Sequence, residues 1–129
     1  MKVRNLLAGA LAASLLMTAA GAYGADGSWL KNVPAQERER ANPYQGQADA
    51  VAAGQRLYTS YCSRCHGAAA EGTKKRPPLK SQRVQQRATE GDLHWLLVNG
   101  NRGKGMPSWS RLPDQQLWQL ITFVKSLHD

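Results

Sequence analysis

The pentapeptide Cys62-Ser63-Arg64-Cys65-His66 constrains the fold of this chain more than any other segment. Two thiols at this spacing can each form a thioether with a vinyl group of one haem, and the histidine that follows then lies under the iron. Cys62 and Cys65 are the only two cysteines in the sequence, so neither has another sulfur to pair with. We therefore predict one covalently attached haem c, with His66 as the first axial ligand of its iron.

The first residues have the order of a secretory signal. Lys2 and Arg4 precede an apolar run over residues 6–20, and small residues follow at 20–22. The alternative is a membrane anchor, but a bilayer span needs about 20 apolar residues and this run is short and diluted. We predict a signal peptide over residues 1–22, cleavage between 22 and 25, no membrane insertion afterwards, and a periplasmic location.

The chain is basic, with 17 Lys and Arg against 9 Asp and Glu and a net charge of +8. A positive surface attracts acidic proteins by electrostatic steering, so acidic redox proteins are the expected partners. The sequence contains no nucleic-acid-binding motif, and a secreted chain does not meet nucleic acid. We expect a monomer or a transient complex.

Turn-forming residues and a charge run mark residues 23–48 as an N-terminal extension, which Trp29 and Tyr44 should hold against the domain. Residues 49–129 then form the domain. Helices are expected from an N-cap at Asp49 to the haem motif, from Thr89 to a Gly100 C-cap, and from Pro113 onward. No segment shows the alternation of a strand, so the predicted class is all-α.

A domain of this size has a marginal hydrophobic core unless something holds it together. A covalently attached haem would supply a large apolar plate around which short helices can pack. We therefore expect the chain without haem to be largely unfolded.

Met106 is the best candidate for the second iron ligand, because it lies in a glycine-rich loop and carries a soft thioether. The alternative is that Met106 simply fills a gap in the core. Met1 and Met17 fall in the predicted signal peptide, so no other methionine competes. His94 and His128 are rival ligands, although a histidine within a helix or at a chain end usually has another explanation.

The sequence resembles the class I c-type cytochromes over residues 49–127. In that family, Gly54 and Tyr58 would pack against the last helix near Trp118 and Ile121. The resemblance rests on the haem motif together with these residues: Gly54, Leu57-Tyr58, Tyr61, Gly67, Pro77-Pro78-Leu79, Asn99-Gly100, Gly105-Met106-Pro107 and Trp118.

The resemblance also implies which residues surround the haem. A backbone carbonyl of Pro77 or Pro78 would accept the Nδ1 hydrogen of His66. The pocket-lining residues would be Leu79, Trp95, Leu96 and Trp109. The basic residues near the exposed haem edge would form a docking surface for an acidic partner: Arg64, Lys74, Lys75, Arg76, Lys80, Arg83, Arg87, Arg102 and Lys104.

Iron with two protein ligands has no open position for a substrate, so the expected function is one-electron transfer without catalytic residues. The leading hypothesis is a periplasmic monohaem electron carrier. The alternative is a cytochrome subunit, or electron acceptor, of one periplasmic dehydrogenase, because the extension weakly resembles cytochromes that accompany quinoprotein alcohol dehydrogenases. A haem peroxidase, a thiol-disulfide oxidoreductase and a zinc site are less favoured alternatives.

Overall fold

The computed structural model describes residues 27–74 and 76–128. The predicted signal peptide at 1–22, its cleavage region at 22–25, and Lys75 lie outside the described residues. The described residues contain five α-helices and no strand, only two isolated bridges. The predicted all-α class is therefore confirmed. The helices are α1 (Ala35–Arg38), α2 (Ala48–Tyr61), α3 (Ser63–His66), α4 (Glu90–Asn99) and α5 (Asp114–Lys125).

Shorter turns complete the architecture. They are 3₁₀ turns at Ser28–Asn32 and Arg102–Lys104, and a π-helical turn at Arg83–Arg87. None of the helices in the described ranges has both the length and the apolar character that crossing a bilayer requires.

The ends of α4 follow the sequence prediction. The Thr89 hydroxyl accepts the Asp92 N–H at 3.0 Å, and the Asp92 carboxylate accepts the Thr89 N–H at 2.8 Å. This capping box fixes the start of the helix, and Gly100, with φ +70°, ends it. The predicted N-cap at Asp49 is wrong, because α2 begins at Ala48 and the Asp49 carboxylate instead accepts the N–H of Ala50.

Helices α2 and α5 form the main helix pair. Gly54 allows their close approach, because a Cβ atom there would overlap the Gln119 carbonyl oxygen and lie 2.7 Å from Phe123 Cβ. One turn later, the rings of Tyr58 and Phe123 lie 5.3 Å apart. The contact face of α5 therefore contains Gln119 and Phe123, whereas we expected Trp118 and Ile121.

Trp118 and Ile121 belong to a second cluster on another face of α5, with Val84, Ala88 and Leu93. The extension packs against this cluster through Trp29, Leu30 and Tyr44, as its aromatic residues suggested. The Lys125 ammonium fastens the π-helical turn next to it by donating to the carbonyls of Val84, Gln85 and Ala88. The extension and this turn are thus held against the face of α5 that does not contact α2.

Candidate functional site

The Cys-x-x-Cys-His motif lies where α2 gives way to α3. Cys62 continues the hydrogen bonding of α2, since its N–H donates to the Tyr58 carbonyl at 2.8 Å, and its own carbonyl accepts the N–H of His66 at 3.0 Å. Burial raises the pKa of Tyr58 to about 12, and the charges of Cys62 and Glu71 add to this. The Tyr58 hydroxyl therefore stays protonated and donates to the Gly67 carbonyl at 2.5 Å.

His66 is held in one tautomer. Its Nδ1 lies 3.0 Å from the Pro77 carbonyl oxygen, and a carbonyl only accepts, so Nδ1 carries the hydrogen and Nε2 keeps a free lone pair. Burial lowers the pKa of His66, the bond to Pro77 opposes this, and the charge of Arg76 adds to the lowering. The neutral imidazole that results is the form that binds a metal. Of the two prolines, the structure selects Pro77.

Met106 lies in the loop that follows α4. The backbone N–H of Met106 donates to the Asn101 carbonyl at 3.0 Å, and the N–H of Asn101 returns a bond to the Met106 carbonyl at 2.9 Å. The Arg76 guanidinium reaches across and donates to the Lys104 carbonyl at 2.8 Å. Arg76 directly precedes Pro77, whose carbonyl bonds His66, so Arg76 connects the loop that holds His66 to the loop that contains Met106.

One cavity brings the candidate haem residues together. Its empty space is about 1050 Å³, a figure that includes solvent at its open mouth. Cys62, His66, Met106 and Leu79 all line it. Cys65 is exposed and is not part of the lining. The other lining residues are mostly apolar: Gly27, Trp29, Arg76, Pro77, Val84, Leu93, Leu96, Leu97, Asn101, Lys104, Leu120, Ile121 and Val124.

The predictions for Trp95 and Trp109 are corrected, because neither residue lines this cavity. Leu93, Leu96 and Leu97 are the α4 residues in its wall, and Trp95 projects about 200° around the helix from Leu93. Trp109 contacts other groups. Its ring centroid lies 5.5 Å from that of Tyr61 and 4.5 Å from the Arg111 guanidinium carbon.

Sequence reasoning missed several lining residues, above all Trp29. Trp29 was expected to pack on the domain, but its place in the cavity wall depends on how residues 28–32 cross the domain. Arg76 and Asn101 were also missed as wall residues. Arg76 was counted only as one of many surface charges, and Asn101 carried no distinguishing signal.

Neither rival histidine lines the cavity. His94 is buried, with Nε2 at 2.6 Å from Asp114 Oδ1 and Nδ1 at 3.1 Å from Arg40 Nη1. Its ring stacks on Trp118. Both ring nitrogens of His94 therefore already have partners. His128 is exposed.

The non-haem alternatives gain no support from this geometry. Burial, together with the charge of Cys65, raises the pKa of Cys62 to about 11, whereas a redox-active thiol needs a lowered pKa. Within the described ranges, no three His, Cys, Asp or Glu side chains come together as a metal site. Zinc at Cys62 and Cys65 would therefore lack its remaining protein ligands.

The residues present do fit a haem. Apolar walls suit the porphyrin, and the cavity offers a thiol at Cys62, a neutral imidazole at His66 and a thioether at Met106. Imidazole and thioether are the ligand pair of haem iron in electron-transfer cytochromes. Cys62 and Cys65 are free rather than joined as a disulfide. This donor set would hold haem c.

The all-α fold, the Cys-x-x-Cys-His motif and this cavity define a class I c-type cytochrome domain. The family model described as cytochrome c oxidase, cbb3-type, subunit III matches residues 49–124. The chain belongs to this family. Membership implies haem c binding and electron transfer by the domain.

Two known proteins show how far the similarity extends. The cbb3-type cytochrome c oxidase subunit CcoP of Azospirillum sp. (strain B510) is 32% identical over 117 residues. That alignment covers 82% of this chain and 39% of the relative, so the chain spans well under half of that protein. The crystal structure of cytochrome CL from the marine methylotrophic bacterium Methylophaga aminisulfidivorans matches with a TM-score of 0.56 and 27% identity. That match covers 65% of this chain and 59% of the solved chain.

Proposed function

We propose that this chain is a periplasmic monohaem cytochrome that passes single electrons between redox proteins. One haem c is attached through Cys62 and Cys65, with His66 and Met106 as the two axial ligands. The observation that supports the proposal most is that Cys62, His66, Met106 and Leu79 all line one mostly apolar cavity. When bound, the haem supplies a one-electron Fe(III)/Fe(II) couple.

The protein residues would prepare this site in three ways. The Pro77 carbonyl accepts the Nδ1 hydrogen of His66, which would leave Nε2 as the neutral donor for the haem iron. The Asn101–Met106 backbone pair holds the thioether in its loop. The leucine and valine walls keep water away, which favours the reduced state of lower charge.

The experiment is a visible spectrum of protein expressed in a periplasm with haem-attachment machinery, recorded in the oxidised and reduced states. We expect a sharp α band after reduction and a weak far-red band in the oxidised form, the second of which requires sulfur on iron. Met106→Ala should abolish the far-red band and allow cyanide to bind at neutral pH, while His94→Gln should leave both spectra unchanged. Loss of the far-red band in His94→Gln, or its survival in Met106→Ala, would contradict the ligand assignment.

A basic surface near the cavity supports acidic partners. Lys104 and Arg76 belong to the cavity lining. Five further basic residues are exposed on the protein surface: Arg64, Lys74, Lys80, Arg87 and Arg102. Such a surface speeds association with an acidic partner at low salt. Rates of electron transfer to a negatively charged partner should fall as ionic strength rises. Rates that stay constant would argue against this docking.

A second candidate function is that of a cytochrome subunit within a larger complex. The family match and the CcoP relative favour it, because CcoP is named as a subunit of an oxidase. A periplasmic dehydrogenase is the other possible host. Purification of the tagged chain under mild conditions distinguishes the two functions: a stable co-purifying enzyme indicates a subunit, and a free holoprotein indicates a carrier.

A further inference from the structure

One wall of the cavity is formed by residues that precede the segment matched by the family model. Trp29 and Gly27 line the cavity, but the family model begins at residue 49. The residues that contain the haem motif, the leucine wall and Met106 therefore do not enclose the cavity by themselves. The extension contributes a wall made chiefly of the Trp29 indole.

Trp29 is placed where the core and the cavity meet. It packs against the cluster that contains Val84, Leu93 and Ile121, and these three residues also line the cavity. At the preceding turn, Gly27 has φ +67°, and a Cβ there would lie 2.7 Å from Arg83 Cδ. The backbone at Gly27 therefore lies directly against the Arg83 side chain, two residues before Trp29.

Polar contacts fasten the rest of the extension to the domain. Helix α1 lies directly on α4 at Gly91, where a Cβ would overlap the Glu37 carbonyl oxygen. The Arg38 carbonyl accepts the Thr89 hydroxyl hydrogen at 2.8 Å. Buried Asn42 donates to the Thr122 hydroxyl at 2.9 Å. These contacts show that the extension is an integral part of the domain surface and keeps Trp29 in position.

We propose that Trp29 closes the haem cavity and raises the reduction potential by keeping water from the haem. The inference rests on the proposed function, since it requires haem in this cavity. An aromatic wall lowers the local dielectric constant, and a low dielectric constant destabilises the more highly charged oxidised state. Trp29 is a positioning and shielding residue that does not ligate iron.

The test is a potentiometric titration of holoprotein variants. Trp29→Ala should shift the reduction equilibrium about tenfold toward the oxidised form, equivalent to about 59 mV for one electron. Trp29→Phe, which keeps an apolar ring, should restore most of the wild-type potential. Tyr44→Ala is the matched control, because Tyr44 is an extension aromatic packed on the same cluster but absent from the cavity wall.

Unchanged potential in Trp29→Ala, or an equal shift in Tyr44→Ala, would overturn the inference. If Trp29→Ala yields no folded holoprotein, Trp29→Gln replaces it, with the same expected shift and the same comparison to Trp29→Phe. Intact mass separates this failure from failure of the proposed function. Wild-type protein without attached haem contradicts the proposed function, whereas haem-loaded variants with unchanged potentials contradict only the role of Trp29.

Discussion

His66 and Met106 line the same cavity but belong to two differently built parts of the chain. The histidine side is mostly helical: α2 leads through the turn residue Cys62 into α3, and the Tyr58 hydroxyl donates to the Gly67 carbonyl just beyond α3. The methionine side is an irregular loop held by the Asn101–Met106 backbone pair and by the Arg76 guanidinium.

This difference separates folding from ligand positioning. The helix that leads to the haem motif is also the helix that packs on α5, so changes on the histidine side should affect the whole domain. The methionine loop lies outside the α2–α5 pair, so changes there should affect the iron ligand before they affect the fold. The following variants test this distinction, beginning with the largest expected effect.

Loss of the haem attachment should remove the fold itself. In Cys62→Ala/Cys65→Ala, the apolar cavity wall would have nothing to pack against, and a domain of this size is marginal without such support. We expect a largely unfolded chain with little helical circular dichroism and no cooperative melt. Native-like helix content with a sharp melting transition would contradict this expectation.

Crowding of the α2–α5 contact should give the next largest loss of stability. A Cβ at Gly54 would overlap the Gln119 backbone, which cannot move without displacing α5. We expect Gly54→Ala holoprotein to lose about 3 kcal/mol of unfolding free energy, measured by urea titration. Gly103→Ala serves as the control, because a Cβ there has no atom within 4 Å, and it should change stability by less than about 0.5 kcal/mol. Similar losses in the two variants would refute the close helix contact.

Substitution of a positive-φ glycine at the start of the methionine loop should act more locally. Gly100 has φ +70°, and a Cβ there would lie 2.7 Å from the Pro107 carbonyl carbon. We expect Gly100→Ala to cost about 2 kcal/mol and to weaken the far-red band, while the helical circular dichroism stays native. Loss of the helices together with the far-red band would show that the two sides form a single cooperative unit.

Removal of the Arg76 contact should give the smallest effect. In Arg76→Gln, the bond to the Lys104 carbonyl is lost, and the methionine loop should open more readily at a cost of about 1 kcal/mol. We expect the far-red band to disappear at a lower urea concentration than in the wild type, well before the helices melt. Arg102→Gln removes an equal charge from the methionine loop itself and should leave the urea concentration at which the band disappears unchanged. Equal shifts in the two variants would assign the effect to charge alone.

Local sequence signals predicted much of the histidine side and of the helix ends. The haem motif is contiguous, the capping box of Thr89 and Asp92 spans four residues, and Gly54 in mid-helix indicated a close contact. Such features depend on neighbours along the chain, so a sequence reader can recognise them. The all-α class followed from the helix-end signals and from the absence of any segment with strand alternation.

Features that depend on distant residues could not be predicted in this way. The choice of Pro77 over Pro78, the reach of Arg76 to the Lys104 carbonyl and the placement of Trp29 all follow from tertiary packing. Trp95 and Trp109 were wrongly expected in the pocket, because the family resemblance implied them and the sequence does not show which way either side chain projects. The orientation of α4 in the structure excludes Trp95 from the cavity wall. Trp109 is excluded because its ring contacts Tyr61 and Arg111 instead.

Intact-mass measurement of the exported protein tests the central claim most directly. We expect the mass to exceed that of the polypeptide by one haem, and one peptide containing both Cys62 and Cys65 to carry the addition. A product with the mass of the polypeptide alone, and with free thiols or a disulfide at these cysteines, would contradict it.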